Sequence, residues 1–287
     1  MQKFSTYALG LIAVGCLTSP AAYTQTTIPA EQQRARTELA KHRWDFSNDR
    51  FVALSSTAKL DVIELYLKAG MSPDTKDARG RPALVAVLAN GKLFAGDALG
   101  SMGHALLKER LDVLRYLLDA GADANIADGA GITALDEAAM YPAFTPAINL
   151  LVKARAKVDA PEAKYQFTPL HMAVLNNNTD GVRALLAAGA TPDSLAKQSM
   201  TPLMFALHAG NDAVVELLLQ AGADATRRTD GGKSCLHYAA ESASASSIQR
   251  LLAKGATLSA TDANQKIPLQ LALEANRDQA VLALLRP

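Results

Sequence analysis

The chain has 287 residues, a formal net charge of +1, 49% hydrophobic residues and only 5% aromatic ones. That length allows one large or two small domains, and the composition is that of a folded protein rather than a disordered one. A charge so close to zero gives no reason to expect nucleic acid as partner, because such binding rests on many Lys and Arg contacts to phosphate.

Residues 1–22 read as a separate piece. "MQK" supplies a positive charge, "FSTYALGLIAVGCL" an apolar core, and "TSPAA" a proline with small residues after it. This is the order of a secretory signal peptide, expected to be cleaved after about Ala21 or Ala22. The apolar run is about a dozen residues, short for a membrane span, and the chain has no second such stretch, so no membrane span is expected. The two cysteines are Cys16 and Cys235, so cleavage would leave Cys235 alone and exclude an internal disulfide. An alternative is that "LIAVGC" is a lipobox and Cys16 becomes a lipidated terminus, although Ala13 stands where leucine is usual. The next segment, 23–46, is expected to carry a helix over about Ala30 to Phe46 that covers the exposed end of the residues beyond it.

From Ser47 onward one sentence is written repeatedly. A marker residue falls at Phe51, Leu84, Leu135, Leu170, Leu203, Leu236 and Leu269, and the last four are 33 residues apart. Gly70, Gly189, Gly222 and Gly255 each lie 19 residues after a marker. Thr168 and Thr201 stand where a helix is capped, and Pro169 and Pro202 where a helix tolerates proline. The glycines close each second helix in a left-handed turn. Leu185 and Leu186, like Leu217 and Leu218, form an apolar face that one helix pair cannot bury alone, so neighbours must stack.

The period and the words "TPLHMAV…VRALLAAGA" and "TPLMFAL…VVELLLQAGAD" resemble the ankyrin-repeat family, specifically an exported bacterial member. The resemblance covers about five-sixths of the chain. It implies an all-α solenoid of about seven helix-turn-helix units with β-hairpin or loop connections. The units are expected near 47–79, 80–130, 131–165, 166–198, 199–231, 232–264 and 265–287, the last acting as a cap that completes the array. A periplasmic location is expected from the leader together with the bacterial resemblance.

Departures from the period are informative. The step from Leu84 to Leu135 contains 18 extra residues, placed at about Asn90 to Lys108 between the two helices of the second unit. The third unit lacks the usual Gly-His turn, reads "MYPAFTPAINLL", and has Arg155 where a glycine cap should be.

Catalytic and metal-binding signatures are weak. "GAGITA" at 129–134 matches a dinucleotide fingerprint, but "DANIAD" precedes it instead of an apolar strand. His171 and His237 hold the histidine position of T-P-L-H, where the family's imidazole bonds to the neighbouring hairpin backbone. They lie two repeats apart and do not cluster as metal ligands would. Cys235, in a C-x-H pair with His237, replaces the repeat's proline and reads as a small buried side chain. Ser101 in "LGSMG" lacks the nucleophile elbow, and no paired carboxylates stand out. The chain is therefore expected to be no enzyme and to need no cofactor or metal.

The resemblance implies a protein partner, bound through hairpin tips and first helices. The family's outward positions lie six, five and three residues before the marker, and five and six after it. In the third to fifth units they hold Ile132, Met140, Tyr141, Tyr165, Phe167, Leu175, Met200 and His208 among others; the ends are charged, with Arg79, Arg81, Asp230, Lys233, Glu241, Lys266 and Glu274. An apolar centre with a polar rim is how protein interfaces are built. Leu93 and Phe94 of the insertion join the candidate set. Three readings stay open: an interface, a face covered by the insertion, or rings packed under their own turns. The module is expected to be monomeric, and the resemblance offers two settings for it. One is immunity against a secreted antibacterial effector such as a lipase toxin; the other is support of catalase-linked peroxide resistance.

Overall fold

A computed structural model describes residues 28–57, 60–89, 91 and 100–286. The expected leader and Cys16 lie outside the described residues, as do Leu93 and Phe94. Among the described residues the architecture is helical: α1 (Ala30–Lys41) precedes seven helix pairs. These are α2 (Asn48–Ser55) with α3 (Leu60–Lys68), α4 (Ala83–Leu88) with α5 (Gly100–Asp119), and α6 (Ala134–Met140) with α7 (Thr145–Lys153). Then come α8 (Pro169–Leu175) with α9 (Thr179–Ala187), α10 (Pro202–His208) with α11 (Asp212–Gln220), α12 (Cys235–Ser242) with α13 (Ala245–Ala253), and α14 (Pro268–Glu274) with α15 (Gln279–Leu284).

Helices this short are marginal in isolation and need tertiary packing. They obtain it in two rows. The first helices pack in series from α2 to α14, the second helices in series from α3 to α15, and α1 lies on α3. Leu170, Val182, Leu185, Leu203, Val214, Leu218, Leu236 and Leu251 are fully buried between neighbours. Leu186, in contrast, is only half-buried, so the doublet Leu185–Leu186 has one core member rather than two.

The connections are narrow hairpins closed by backbone bonds such as Asp128 N–H to Ile132 O (2.9 Å) and Glu162 N–H to Phe167 O (2.9 Å). Isolated antiparallel bridges occur at Lys76–Pro82 and Arg228–Ser234, too short to make strands. Gly131 shows why the third tip needs glycine: its φ is +84°, and an added Cβ would lie 2.9 Å from the Ala163 nitrogen.

Two irregularities differ in detail from the expectation. The initial helix ends at Lys41, with Arg43 left-handed at φ 55°, so it is shorter than Ala30 to Phe46. Of the inserted stretch, residues 100–108 form the first part of α5, a 20-residue helix that continues into the unit's second helix. The insertion is thus partly a helical extension.

Where the sequence lacks a regular turn after a first helix, a side chain takes over the orphan carbonyls. Arg110 donates through Nη1 to Val87 O (3.0 Å) and Ala89 O (2.7 Å) at the end of α4. Asn178 donates to Ala139 O (2.9 Å) in α6, and Arg277 donates to Ala240 O (3.2 Å) and to Ala243 O at the end of α12. The missing turn of the third unit is filled by a 3₁₀ turn at Pro142–Phe144, with Phe144 wholly buried beneath it.

Arg155 adopts φ 64°, the conformation that Gly70, Gly121, Gly189, Gly222 and Gly255 adopt at the same place in other units. A side chain there costs about 1 kcal/mol. Two substitutions should therefore act with opposite sign. Arg155→Gly should raise stability by about 0.5–1 kcal/mol, and Leu185→Ala should lower it by about 2–5 kcal/mol through a cavity between stacked helices. Urea denaturation of both variants beside the wild type measures the two changes.

Candidate protein-binding face

The fourth residue of each T-P-L-H word sets the local geometry. In α8, His171 Nδ1 accepts from Thr168 N–H (3.2 Å), so Nε2 carries the proton and donates to Met200 O (3.4 Å) of the next hairpin. In α12, His237 does the same, with Ser234 N–H at 3.0 Å and Lys266 O at 2.9 Å. Burial holds the His171 pKa down at about 4 and lowers that of His237, so both imidazoles stay neutral near pH 7. Both histidines therefore brace hairpins, as the resemblance implies.

Neighbouring hairpins are also joined tip to tip through backbone. Ala163 N–H donates to Ala130 O (3.1 Å), Lys197 N–H to Tyr165 O (2.9 Å), Asp230 N–H to Gln198 O (3.1 Å) and Ala263 N–H to Gly231 O (2.9 Å). The tips of the third to seventh units thus form one continuous ledge. Behind it a second set of bonds ties the loops after the second helices. Asp74 accepts from Asp123 N–H (2.8 Å), Asp159 from Thr191 N–H (3.0 Å) and Asp193 from Asp224 N–H (3.0 Å).

On this ledge the structure brings together part of the expected set. Tyr165 stacks on Phe167 with ring centroids 5.3 Å apart, and Phe167 meets Phe205 edge-on at 5.5 Å. His171 lies behind both rings, 5.7 Å from Phe167 and 5.8 Å from Phe205. Met200 accepts a hydrogen bond at Sδ from the Tyr238 hydroxyl (3.1 Å), and Tyr238 meets His208 edge-on at 6.3 Å. Tyr165 and Leu175 are 46% and 43% exposed, His208 is exposed, and Phe167, Met200, Phe205 and Tyr238 are half-buried. Phe205 and Tyr238 were missed in the sequence. Both lie two residues after a marker leucine, a position that the outward offsets omitted and that also holds Glu137 and Met172.

Ile132, Met140 and Tyr141 of the third unit are half-buried and pack on the core. Tyr141 meets buried Phe144 edge-on at 6.3 Å, and the backbone of Gly91 lies on its ring so closely that an added Cβ would be 2.2 Å from Cδ2. Beyond the aromatic cluster the charges pair off. Lys233 meets Glu241 (3.3 Å), which also faces His208 (3.6 Å), and Lys266 meets Glu274 (2.7 Å).

The third unit has Asp136 in the histidine position. It is fully buried: Oδ2 accepts from Thr133 N–H (2.8 Å) and Oγ1–H (2.7 Å), and Oδ1 has no partner among the described residues. Burial pushes its pKa up to about 6 against the pull of the Thr133 bonds, with Glu162 and Asp128 adding to the rise. Its neighbour Glu137 is half-buried and pushed up to about 7, by burial first and then by Asp128 and Asp136, with Arg81 opposing. The sequence offered no such pair, because burial alone distinguishes these two from ordinary repeat acids. Successive helix positions send them different ways, Asp136 into the repeat interface and Glu137 to the half-buried position two after the marker.

Cys235 is buried and its thiol is pushed up to about 12 by burial, well away from the thiolate needed for reactivity. Among the described residues no group of His, Cys, Asp or Glu could hold a metal ion, and no helix is long and apolar enough to cross a membrane.

A family model described as ankyrin repeats (3 copies) matches residues 102–196, 138–229, 170–262 and 203–287, together more than half of the chain. A Treponema pallidum (strain Nichols) protein named for its ankyrin repeats is 31% identical over 117 residues, 35% of this chain and 39% of that protein. A Danio rerio protein bearing the name palmitoyltransferase ZDHHC13 is 34% identical over 105 residues, 37% of this chain and 16% of that protein. The chain therefore matches less than half the length of either curated relative. Among solved structures, the ankyrin repeat domain of Bcl-3, a unique member of the IkappaB protein family, superposes with a TM-score of 0.62 at 23% identity. That match covers 83% of this chain and 97% of that one, and it speaks to the fold alone.

Asp136 yields a pH prediction. Its folded pKa lies above the unfolded value of 3.8, so the native state holds the proton more tightly and stability is lost as pH rises from about 4 through about 6. His171 and His237 act oppositely on acidification, so the effect is read by difference. Relative to wild type, Asp136→Asn should be more stable at pH 7.5 than at pH 4.5 by about 2 kcal/mol, because at 1.36 kcal/mol per unit only the part of the shift above pH 4.5 is read in this window. Urea denaturation of both proteins at the two pH values measures it.

Proposed function

We propose a function for this chain, which belongs to the ankyrin-repeat family: it is an exported, noncatalytic module that binds a protein partner along the hairpin ledge and first helices of the fourth to sixth units. Ankyrin repeats are typically protein-interaction modules, and the likeness to a solved ankyrin domain extends over most of the chain. The observation that carries the assignment to these units is the ring series Tyr165–Phe167–Phe205, continued by Met200 and Tyr238, on tips already tied to one another. Aromatic side chains held on a rigid support lose little freedom on binding, and such residues dominate the energy of protein interfaces. Export to the periplasm rests on the charged, apolar and small-residue order of residues 1–22.

Tyr165→Ala combined with Phe205→Ala tests the assignment. The expected result is capture of a protein from an envelope extract by the wild type and its loss by the variant, with binding weakened about tenfold or more. Circular dichroism should show helix content and melting nearly unchanged. A captured hydrolase toxin would support the immunity setting and a catalase the peroxide one. Retention of the partner by the variant would move the site off the aromatic series.

A further inference from the structure

The charge pattern of the ledge is asymmetric in a way that specifies the partner. Four of the hairpin acids are occupied by their own turns. Asp77 Oδ1 accepts from Arg79 N–H (3.0 Å) and Arg81 N–H (2.8 Å), and Asp128 Oδ1 from Ala130 N–H (2.8 Å) and Ile132 N–H (2.9 Å). Glu162 accepts from the N–H groups of Lys164, Tyr165 and Phe167, and Asp262 from those of Asn264 and Lys266. The fifth hairpin has Ala196 in the equivalent place and so contributes no acid. Asp230, at the sixth tip, accepts from Ser199 Oγ–H (2.5 Å).

The bases beside the ring series are arranged differently. Lys164 and Lys197 occupy the same position on successive tips, six residues before Leu170 and Leu203. Both are exposed, and no ion pair holds either among the described residues, whereas the cations further along are paired with Glu241 and Glu274. The Lys164 ammonium lies 4.6 Å from the centroid of the Tyr165 ring, so it stands at the edge of the aromatic series rather than away from it. Two exposed cations outside any ion pair among the described residues thus stand beside the ring series, and the nearest hairpin acid, Glu162, is occupied by its own turn.

We infer that the partner meets this face with a segment that sets acidic side chains beside an aromatic or branched apolar one. The carboxylates meet Lys164 and Lys197, and the apolar side chain lies on Tyr165, Phe167 and Phe205. The inference rests on the binding face proposed above and adds the chemistry of what it binds. Complementary charge selects partners and sets register more than it adds affinity, so the rings hold the segment and the lysines choose it.

The test is selection of a phage-displayed random dodecapeptide library on the full chain, then anisotropy titration of the most enriched labelled peptide. Asp or Glu next to Phe, Trp, Leu or Ile should be enriched. Lys164→Ala with Lys197→Ala should raise Kd about three- to tenfold and flatten its salt dependence, Arg at both positions should restore binding, and Glu at both should abolish it. Enrichment of neutral or basic peptides, or lysine variants that leave Kd and its salt dependence unchanged, would overturn the inference. If the lysine variants have no effect while Tyr165→Ala with Phe205→Ala abolishes binding, the charge inference fails and the binding face stands. If the aromatic variant also binds normally, or nothing is enriched, both fail.

Discussion

A pair of helices of six to nine residues presents an apolar stripe that nothing within the pair can cover. Every other feature of this protein depends on covering that stripe with the next pair. The first helices stack on first helices and the second on second, so Leu170, Leu203 and Leu236 are buried by neighbours one period away. The 20-residue helix α5 joins the same row, packing on α3 and α7. Stability is consequently distributed along the array, and each unit's order depends mainly on its two neighbours.

Stacking at a constant period has a second consequence at the hairpin tips. Because successive tips fall in register, the backbone of one reaches the backbone of the next, and Tyr165, Lys197, Gln198 and Asp230 become links in one ledge. The histidines brace it from beneath: His171 holds the Met200 carbonyl while its ring backs Phe167 and Phe205. One side chain therefore serves both the fold and the presentation of the rings. The turn acids act similarly, since Asp128, Glu162 and Asp262 are taken up by turn N–H groups while Lys164 and Lys197 stay exposed.

The irregular units show how a repeat tolerates losing its own rules. Where a turn is missing, Arg110, Asn178 and Arg277 supply donors to carbonyls that would otherwise be orphaned in the interior. Asp136 is different, because it replaces a neutral donor with a carboxylate and leaves Oδ1 without a hydrogen. It keeps the local bond to Thr133 and gives up the reach to the next hairpin that His171 and His237 make.

Much of the fold was legible because it is written in local terms. A Thr-Pro cap, a marker leucine and a closing glycine each act within a few residues, and their recurrence every 33 residues implies that one unit's environment is the next unit's. Arg155 at a glycine position and the buried marker leucines could be read for the same reason. The candidate face was only half legible. Tyr165, Phe167 and Met200 stood at outward offsets, but Phe205 and Tyr238 did not, since these two join the series through contacts with residues of the preceding hairpins, Phe167 and Met200. The raised pKa values of Asp136 and Glu137 were invisible for a related reason: desolvation is imposed by neighbouring units, and no spacing within the third one encodes it. The sequence by itself determined the period, the helix pairs and their caps, all set by short-range backbone chemistry. The tertiary structure decided which rings meet, which charges are occupied and which carboxylates are buried, because each of those depends on a residue one or more repeats away.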